Sequence, residues 1–346
     1  MTATKWGAGI VCATAALCGA SFAATAQDFY QDKQVRIIVG SVAGGGYDHY
    51  ARMLQRHMPK HIPGNPSILV QNLPGAGGLA AANNVYNIAP KDGTVFAMLN
   101  RYNAVMPILG VTQAMFKAEA FQYLGTTASY SDNSYLLVLR GSLPYRTIED
   151  LRKPGVLLHV GNSGSDVPAI LKEALGLNLK IISGYKGHEE IWAAFERGEI
   201  DVRGDSYISI MATKSAWIDK QYIRPIIQFG RLDRLPELAD VPTARELART
   251  SEDRELIEFA EAPLLIARPF AAAPGVPANL VEILRSAFMK TVSDPDYVAE
   301  VHLRKMEHTP QDGAAVQAVV AKMVKASPSV VSRYLKALDG NLPSGG

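Results

Sequence analysis

Short runs of apolar, β-branched residues alternate along the chain with longer segments in which apolar residues recur every three or four positions. The first such set predicts three strands and two helices. The strands are at 35–40, 67–71 and 94–99, and the helices at 48–58 and 79–89. Strands that are apolar throughout are typical of parallel sheets covered by helices on both faces. The pattern therefore predicts an α/β fold.

A second alternating set follows residue 125. Its predicted strands are at 135–139, 156–160, 179–183, 200–202 and 224–229. A short predicted helix opens near Thr147, which resembles a capping box with Asp150. A second predicted helix runs through Leu175, and a third spans 188–197. Two separate sets predict two lobes, each a sheet flanked by helices, with a ligand cleft between them.

The pattern after residue 232 predicts how the rest of the chain divides between the two lobes. Residues 232–243 are punctuated by proline and predict a surface loop, and the apolar run 263–269 predicts a strand that returns to the first lobe. Residues from 277 onward predict helices. Lobe 1 is predicted to comprise 27–127 plus 260–346, and lobe 2 to comprise 128–259. The hinge strands are predicted near 125–128 and 259–263.

The first 26 residues have the pattern of a signal peptide. One charge, Lys5, precedes an apolar stretch that ends in small residues, which predicts cleavage after Ala26 and a periplasmic location. A retained membrane anchor needs a longer apolar run, and a lipoprotein would use Cys18 after a small residue rather than after Leu17. Cys12 and Cys18 both lie in the removed segment, so the mature chain has neither disulfide nor thiol chemistry.

Composition narrows the classes of function. The chain has 346 residues, of which 48% are hydrophobic, and 35 basic residues nearly balance 33 acidic residues, which excludes disorder. The net charge of +2 and the lack of a long basic run argue against nucleic-acid binding. His57 and His61 have helical metal-ligand spacing, but Pro59 between them would break the helix. No G-x-S-x-G elbow occurs, so neither a metal site nor a catalytic site is predicted.

Two glycine-rich loops carry the clearest chemical signal. Residues 43–48 (AGGGYD) and 74–78 (PGAGG) each stand between a predicted strand and a predicted helix. Unpaired amides and the helix dipole favour an anion at such a position, and glycine allows close approach to the backbone. If their strands are neighbours, the loops meet at the carboxyl edge of the sheet. The alternatives are that the glycines only make tight turns and that Asp48 is a helix cap.

The second loop also matches the dinucleotide pattern G-x-G-x-x-A at residues 75–80. A nucleotide site of this kind needs an acidic residue at the end of the next strand, where this chain has Asn100 and Arg101. No cofactor is therefore predicted. Arg101 could instead pair with a carboxylate, the alternative being a surface salt bridge.

Several motifs occur in order: VRIIVGSVAGGGYDHYAR, QNLPGAGGLAAANNVYN, APKDGT, GYKG, RGEIDVRGD, DVPTARELA and APGVPANLVEIL. With this set the chain resembles, over nearly the whole mature sequence, the extracytoplasmic solute receptors of tripartite tricarboxylate transporters, the TctC or Bug family. The resemblance implies a two-lobed periplasmic binding protein with a type II-like fold. Such a receptor, predicted here to be a monomer, closes on an organic carboxylate and delivers it to a membrane permease.

The resemblance also implies which residues bind the ligand. In the family, backbone amides and ordered waters of two loops hold one carboxylate. The matching residues here are Ser41, Val42, Gly44, Gly45, Tyr47, Asp48, Gly75, Ala76, Gly77 and Gly78. In the second lobe the matching residues are Ser163, Ser165 and Asp166 of a serine-glycine turn, with Tyr185 and Asp205 facing the cleft.

Side-chain chemistry gives further candidates with open alternatives. Ser163 and Ser165 could donate hydroxyl groups to a ligand or could only cap the following helix. Tyr102 and Tyr185 could flank the body of a ligand or could pack between helices. Two other classes of function also fit the pattern: an exported α/β enzyme acting on a small carboxylate, and a ligand-sensing partner of a membrane histidine kinase.

Overall fold

The computed structural model describes residues 29–130, 133–162, 165–185, 187–340 and 342–343. The predicted signal peptide and Ser163 lie outside the described residues. Within them no single helix is long and apolar enough to cross a bilayer, although two consecutive C-terminal helices, bent by 87°, meet that test together by length and composition.

The first sheet contains six strands in the order β11-β4-β10-β3-β1-β2. Their bounds are Gln34–Val39 (β1), Ser67–Asn72 (β2), Val95–Met98 (β3), Gln122–Thr126 (β4), Pro269–Ala272 (β10) and Gln311–Asp312 (β11). The β1 strand pairs in parallel with β2 and β3, which confirms the three predicted strands. The β10 strand is antiparallel to both β3 and β4, so the expectation of a purely parallel sheet is wrong.

The second sheet contains five strands in the order β7-β6-β8-β5-β9. Their bounds are Tyr135–Arg140 (β5), Leu158–Gly161 (β6), Leu179–Ile182 (β7), Val202–Ser206 (β8) and Ile223–Phe229 (β9). The β6 strand is parallel to β7 and β8, whereas β5 is antiparallel to β8 and β9. The two mixed sheets confirm the α/β class and the two-lobed arrangement.

Eleven α-helices in the described residues accompany the sheets. They are Gly46–His57 (α1), Leu79–Asn87 (α2), Ile148–Leu151 (α3), Val167–Leu175 (α4), His188–Glu196 (α5), Tyr207–Asp219 (α6), Ser251–Leu265 (α7), Ala278–Val292 (α8), Pro295–Leu303 (α9), Gly313–Val324 (α10) and Pro328–Leu338 (α11). The α3 helix begins with the predicted capping box, since the Thr147 hydroxyl accepts from the Asp150 amide and the Asp150 carboxylate accepts from the Thr147 amide.

Three predicted elements are displaced or of the wrong type. The run 263–269 is not a strand, because α7 continues through Pro263 to Leu265 and β10 begins only at Pro269. The end of α7 is buried on every side, so its sequence shows no helical period and reads like a strand. For the same reason 259–263 is helix rather than a hinge strand. The strand predicted at 200–202 instead runs from Val202 to Ser206.

The chain passes between the sheets twice, from β4 to β5 and from β9 to β10. The late strand β10 therefore does return to the first sheet, as predicted. The C-terminal helix α11 packs against α4, which follows β6 of the second sheet, and against α7. The ends of β1, β2, β3 and β4 lie at one edge of the first sheet, together with the start of β10. The predicted site residues of the first lobe lie at this carboxyl edge.

Candidate functional site

The first glycine loop is closed by the Asp48 carboxylate. Asp48 lies in the first turn of α1 and is 1% exposed. Its Oδ2 atom accepts from the Gly44 amide and from Arg52 Nε, both at 2.8 Å, and its Oδ1 atom accepts from Asn72 Nδ2 at 2.9 Å. Burial acts to raise the pKa of Asp48, but the three donors outweigh burial and lower it. The helix cap itself is Gly45, without a side-chain bond.

Two of the amides expected to face an anion already make hydrogen bonds within the loop. The Gly44 amide donates to Asp48, and the Gly45 amide donates to the Val42 carbonyl at 3.3 Å. The Val42 side chain is exposed. In contrast, Ser41 Oγ is buried and has no hydrogen-bond partner in the described part of the chain. A ligand that reaches this loop could therefore satisfy the buried Ser41 hydroxyl.

The second loop, Gly75 to Gly78, has a left-handed backbone at all four residues, including the non-glycine Ala76 at φ 47°. Two hydrogen bonds hold this loop. The Gly78 amide donates to the Gly75 carbonyl at 2.9 Å, and Asn103 Nδ2 donates to the Gly77 carbonyl at 3.2 Å. The Ala76 and Gly77 amides make no main-chain hydrogen bond to another described residue, so both could donate to a ligand.

The connection from β1 to α1, which contains the first loop, touches the second loop at the carboxyl edge. A Cβ atom placed on Gly40, at the end of β1, would lie 2.8 Å from the Cα atom of Gly78. Asn72, at the end of β2, ties the first loop to this edge, because its side chain donates to the Ser41 carbonyl at 3.0 Å and to Asp48. The parallel pairing of β1 with β2 and β3 brings the loops together, as expected from the topology.

Arg101 follows β3 at the same edge. Its backbone amide donates to the Tyr47 hydroxyl at 3.2 Å, and its Nε atom is buried without a hydrogen-bond partner among the described residues. Burial acts to lower the pKa of the Arg101 guanidinium, but the neighbouring tyrosines and the Asp166 carboxylate raise it, so the group stays charged. Arg101 forms no ion pair with any described residue, so the surface salt bridge considered as the alternative does not form.

Asp166 links the two sides of the molecule. It is 2% exposed, and its carboxylate accepts from the Tyr102 hydroxyl at 3.0 Å and from the Tyr334 hydroxyl of α11 at 2.6 Å. Burial raises the pKa of Asp166 and of both tyrosines. The fold thus brings Asp166 and Tyr102 together from the two lobes, but the two side chains hydrogen-bond to each other rather than facing a ligand.

The remaining second-lobe candidates are held by local contacts. Asp205 lies inside β8, 2% exposed, and accepts from Trp192 Nε1 at 3.1 Å, Arg203 Nη2 at 3.3 Å and the Ser206 amide at 2.8 Å. Ser165 Oγ accepts from the amide that opens α4, at 3.2 Å, which is the capping alternative. Tyr185 is partly buried against the apolar cluster of the second lobe.

Two residues at the edge were not predicted. Thr127 follows β4 and Arg268 precedes β10, and each has a buried polar atom, Thr127 Oγ1 and Arg268 Nε, without a partner in the described residues. The sequence signal for Arg268 was present, since a basic residue stood beside an apolar run. The displaced strand 263–269 placed Arg268 inside a strand rather than at its start. Groups of three metal-ligating side chains do not occur within the described ranges.

Two mixed α/β sheets, joined by two crossings and linked across their facing edges, define the class of two-lobed periplasmic binding proteins. The sequence profile of the tripartite tricarboxylate transporter family receptors, TctC, matches residues 50–334, and this chain belongs to that family. It is a solute-binding receptor of the family rather than a member of an enzyme family.

Individual relatives agree with this assignment. A protein of Cupriavidus necator, described as a UPF0065 protein in the gbd 5' region, is 25% identical over 344 residues, covering 94% of this chain and 95% of its own length. A TctC solute-binding protein from Polaromonas superposes with a TM-score of 0.68 at 21% identity, over 90% of this chain and 99% of that one. An R. palustris protein solved with adipate has a TM-score of 0.55 at 20% identity, over 89% and 97%. At these identities the structures establish the shared fold.

Proposed function

We propose that this receptor binds an organic carboxylate between its two sheets, at the carboxyl edge of the first sheet. The observation that carries the proposal is the contact of two glycine loops beside a buried arginine nitrogen that has no partner in the described residues. A buried polar group without a hydrogen bond is costly, and an anion with two oxygens would satisfy the Arg101 guanidinium and the Ser41 hydroxyl. A structural relative solved with adipate supports this class of ligand.

The two crossings of the chain and the bonds that Asp166 accepts support capture by closure. Tyr102 belongs to the side of the first sheet and Asp166 to the side of the second, so their hydrogen bond joins the lobes when they are together. Closure would enclose the ligand and present a surface to the permease subunits of a tripartite transporter. On this proposal the mature protein begins after Ala26, acts in the periplasm as a monomer, and releases its ligand unchanged.

Isothermal titration and native mass spectrometry of the purified mature protein test the proposal. The panel contains adipate, malate, citrate and benzoate, each with its methyl ester as a matched control without charge. We expect one-to-one binding of at least one acid and none of its ester, because the site recognises the carboxylate. Nuclear magnetic resonance of the recovered acid should show no turnover. Absence of both heat and a co-purifying acid across the panel would refute the proposal.

A further inference from the structure

Arg268 places a second positive charge at the carboxyl edge. Its guanidinium carbon lies 4.5 Å from the centre of the Tyr47 ring and 5.6 Å from that of Tyr50, both on α1. The Arg268 amide donates to Thr126 Oγ1 at 3.1 Å, which fixes the start of β10 beside the end of β4. The side chain is therefore held over the first turns of α1, next to the first glycine loop.

Arg268 and Arg101 flank neighbouring strands, and both contact Tyr47. The β3 and β10 strands are antiparallel with Met98 opposite Phe270, and the Leu99 amide donates to the Pro269 carbonyl at 2.9 Å. Arg101, three residues after the end of β3, and Arg268, directly before β10, therefore leave the sheet at one edge. Burial raises the pKa of Tyr130 to about 12, and both arginines act against this rise, so both charges lie near one hydroxyl.

The two positive charges have no direct ion-pair partner among the described residues. Neither arginine forms an ion pair with a described residue, and the Nε atom of each is buried without a partner there. Two carboxylates face this region, and both are engaged: Asp166 accepts from two tyrosine hydroxyls, and Glu307 accepts from Asn133 Nδ2. Arg268 Nη1 donates to the Ala267 carbonyl at 3.1 Å, but a buried nitrogen without a hydrogen bond is costly, and an anion would satisfy the Nε atom of each arginine.

We propose that Arg101 and Arg268 together clamp one carboxylate group of the ligand, so that side-chain charge supplies the attraction expected from the loop amides. The inference rests on the proposed function and names the group that recognises the ligand. Each guanidinium offers several N–H donors in a plane, which suits the two oxygens of a carboxylate. The unpartnered hydroxyls of Ser41 and Thr127 lie at the same edge and would complete the site. Tyr47 positions both arginines, through its ring for Arg268 and its hydroxyl for Arg101.

The experiment compares the wild type with Arg101→Gln, Arg268→Gln and the double variant by titration with the same four acids. Each single change should weaken binding about 10- to 100-fold, as expected for losing hydrogen bonds to a charged group. The double variant should lose less than the product of the two effects, because both arginines contact one carboxylate. Arg254→Gln is the control, since Arg254 is exposed and paired with Glu258, and it should stay within about twofold of the wild type.

Two further measurements distinguish direct contact of Arg268 with the carboxylate from a merely structural role. In the clamp, the affinity difference between an acid and its methyl ester shrinks in Arg268→Gln, whereas a merely structural residue would leave that difference unchanged. Arg268→Lys keeps the charge but not the planar donor set, so it should restore part of the lost affinity. Melting curves establish that each variant is folded.

The outcomes separate the clamp from the function. If the wild type binds an acid and both glutamine variants bind it equally well, the clamp is wrong and carboxylate capture stands. If Gly45→Val abolishes binding while Arg268→Gln does not, the first glycine loop rather than Arg268 holds the acid, and the clamp is again wrong. If the wild type binds none of the acids, the proposed function fails and the clamp fails with it.

Discussion

Replacing Asp48 by asparagine should destabilise the first glycine loop and the start of α1. The carboxylate is buried and accepts from the Gly44 amide, Arg52 and Asn72. An asparagine of the same shape keeps one acceptor oxygen but turns an NH₂ group toward groups that are themselves donors. At least one of the buried donors then loses its partner, and the negative charge opposite Arg52 is lost.

The size of the effect follows from how exposed each contact is. Hydrogen bonds to a charged acceptor contribute roughly 1.5–3 kcal/mol each, which applies to the bonds from Gly44 and Asn72. The Arg52 side chain is 39% exposed, so its ion pair contributes less than about 1 kcal/mol. Because asparagine can still accept one bond, we expect a net loss of about 2–4 kcal/mol in the free energy of unfolding. This corresponds to a fall of roughly 4–10 °C in melting temperature.

The pH dependence of stability gives the prediction a second test. The donors hold the pKa of Asp48 below its ordinary value, so its contribution is present above about pH 4 and is lost as the pH falls through the folded-state pKa. Urea denaturation of Asp48→Asn should therefore show a smaller loss of stability on acidification than the wild type. Asp296→Asn is the matched control, because the Asp296 side chain is 79% exposed. Equal stability of the two variants at pH 7 would refute the reasoning.

Three further changes have defined outcomes. Gly40→Ala puts a methyl group 2.8 Å from Gly78 Cα, so calorimetry should show weaker acid binding and a lower melting temperature. Wild-type values of both would contradict the contact between Gly40 and Gly78. Burial raises the pKa of Glu261 to about 7, although Arg245 and the Gly230 amide act to lower it, so stability should fall as the pH rises from 4.5 to 7.5. Glu261→Gln should melt without that slope, and a slope retained in the variant would assign it to another group. Tyr102→Phe removes a hydrogen-bond donor to Asp166, and the affinity for the acid, measured by titration, should fall about 10-fold. An unchanged Kd would mean that this bond does not stabilise the closed form.

The fold could be predicted where local pattern and burial agree. The strands at 35–40, 67–71 and 94–99 were correct because their β-branched runs end at glycine or turn residues. The prediction of 263–269 as a strand failed because α7 ends inside the core, where helix and strand are equally apolar. The β4 strand and α6 were not predicted at all. Most residues of α6 are partly or fully exposed although its sequence is largely apolar, so its pattern lacks the contrast between two faces.

The site could be predicted only in part, because contacts between side chain and backbone decide which donors are open. Parallel strand order was enough to predict that the two glycine loops meet. The sequence pattern does not determine the direction of the Asp48 carboxylate, which turns back to the Gly44 amide rather than toward solvent. The role of Arg268 depended on the start of β10, and a shift of a few residues hid it.

The two ways of holding an acid differ in how binding responds to salt. Backbone amides are fixed dipoles without net charge, whereas Arg101 and Arg268 each carry a full positive charge. Ions in solution screen the attraction between separated charges over about 8 Å at physiological ionic strength, and they screen it less when the charges are enclosed. Approach of the acid to the open form should therefore slow as salt rises. Its release from the closed form should change little, because the clamp is then out of contact with water.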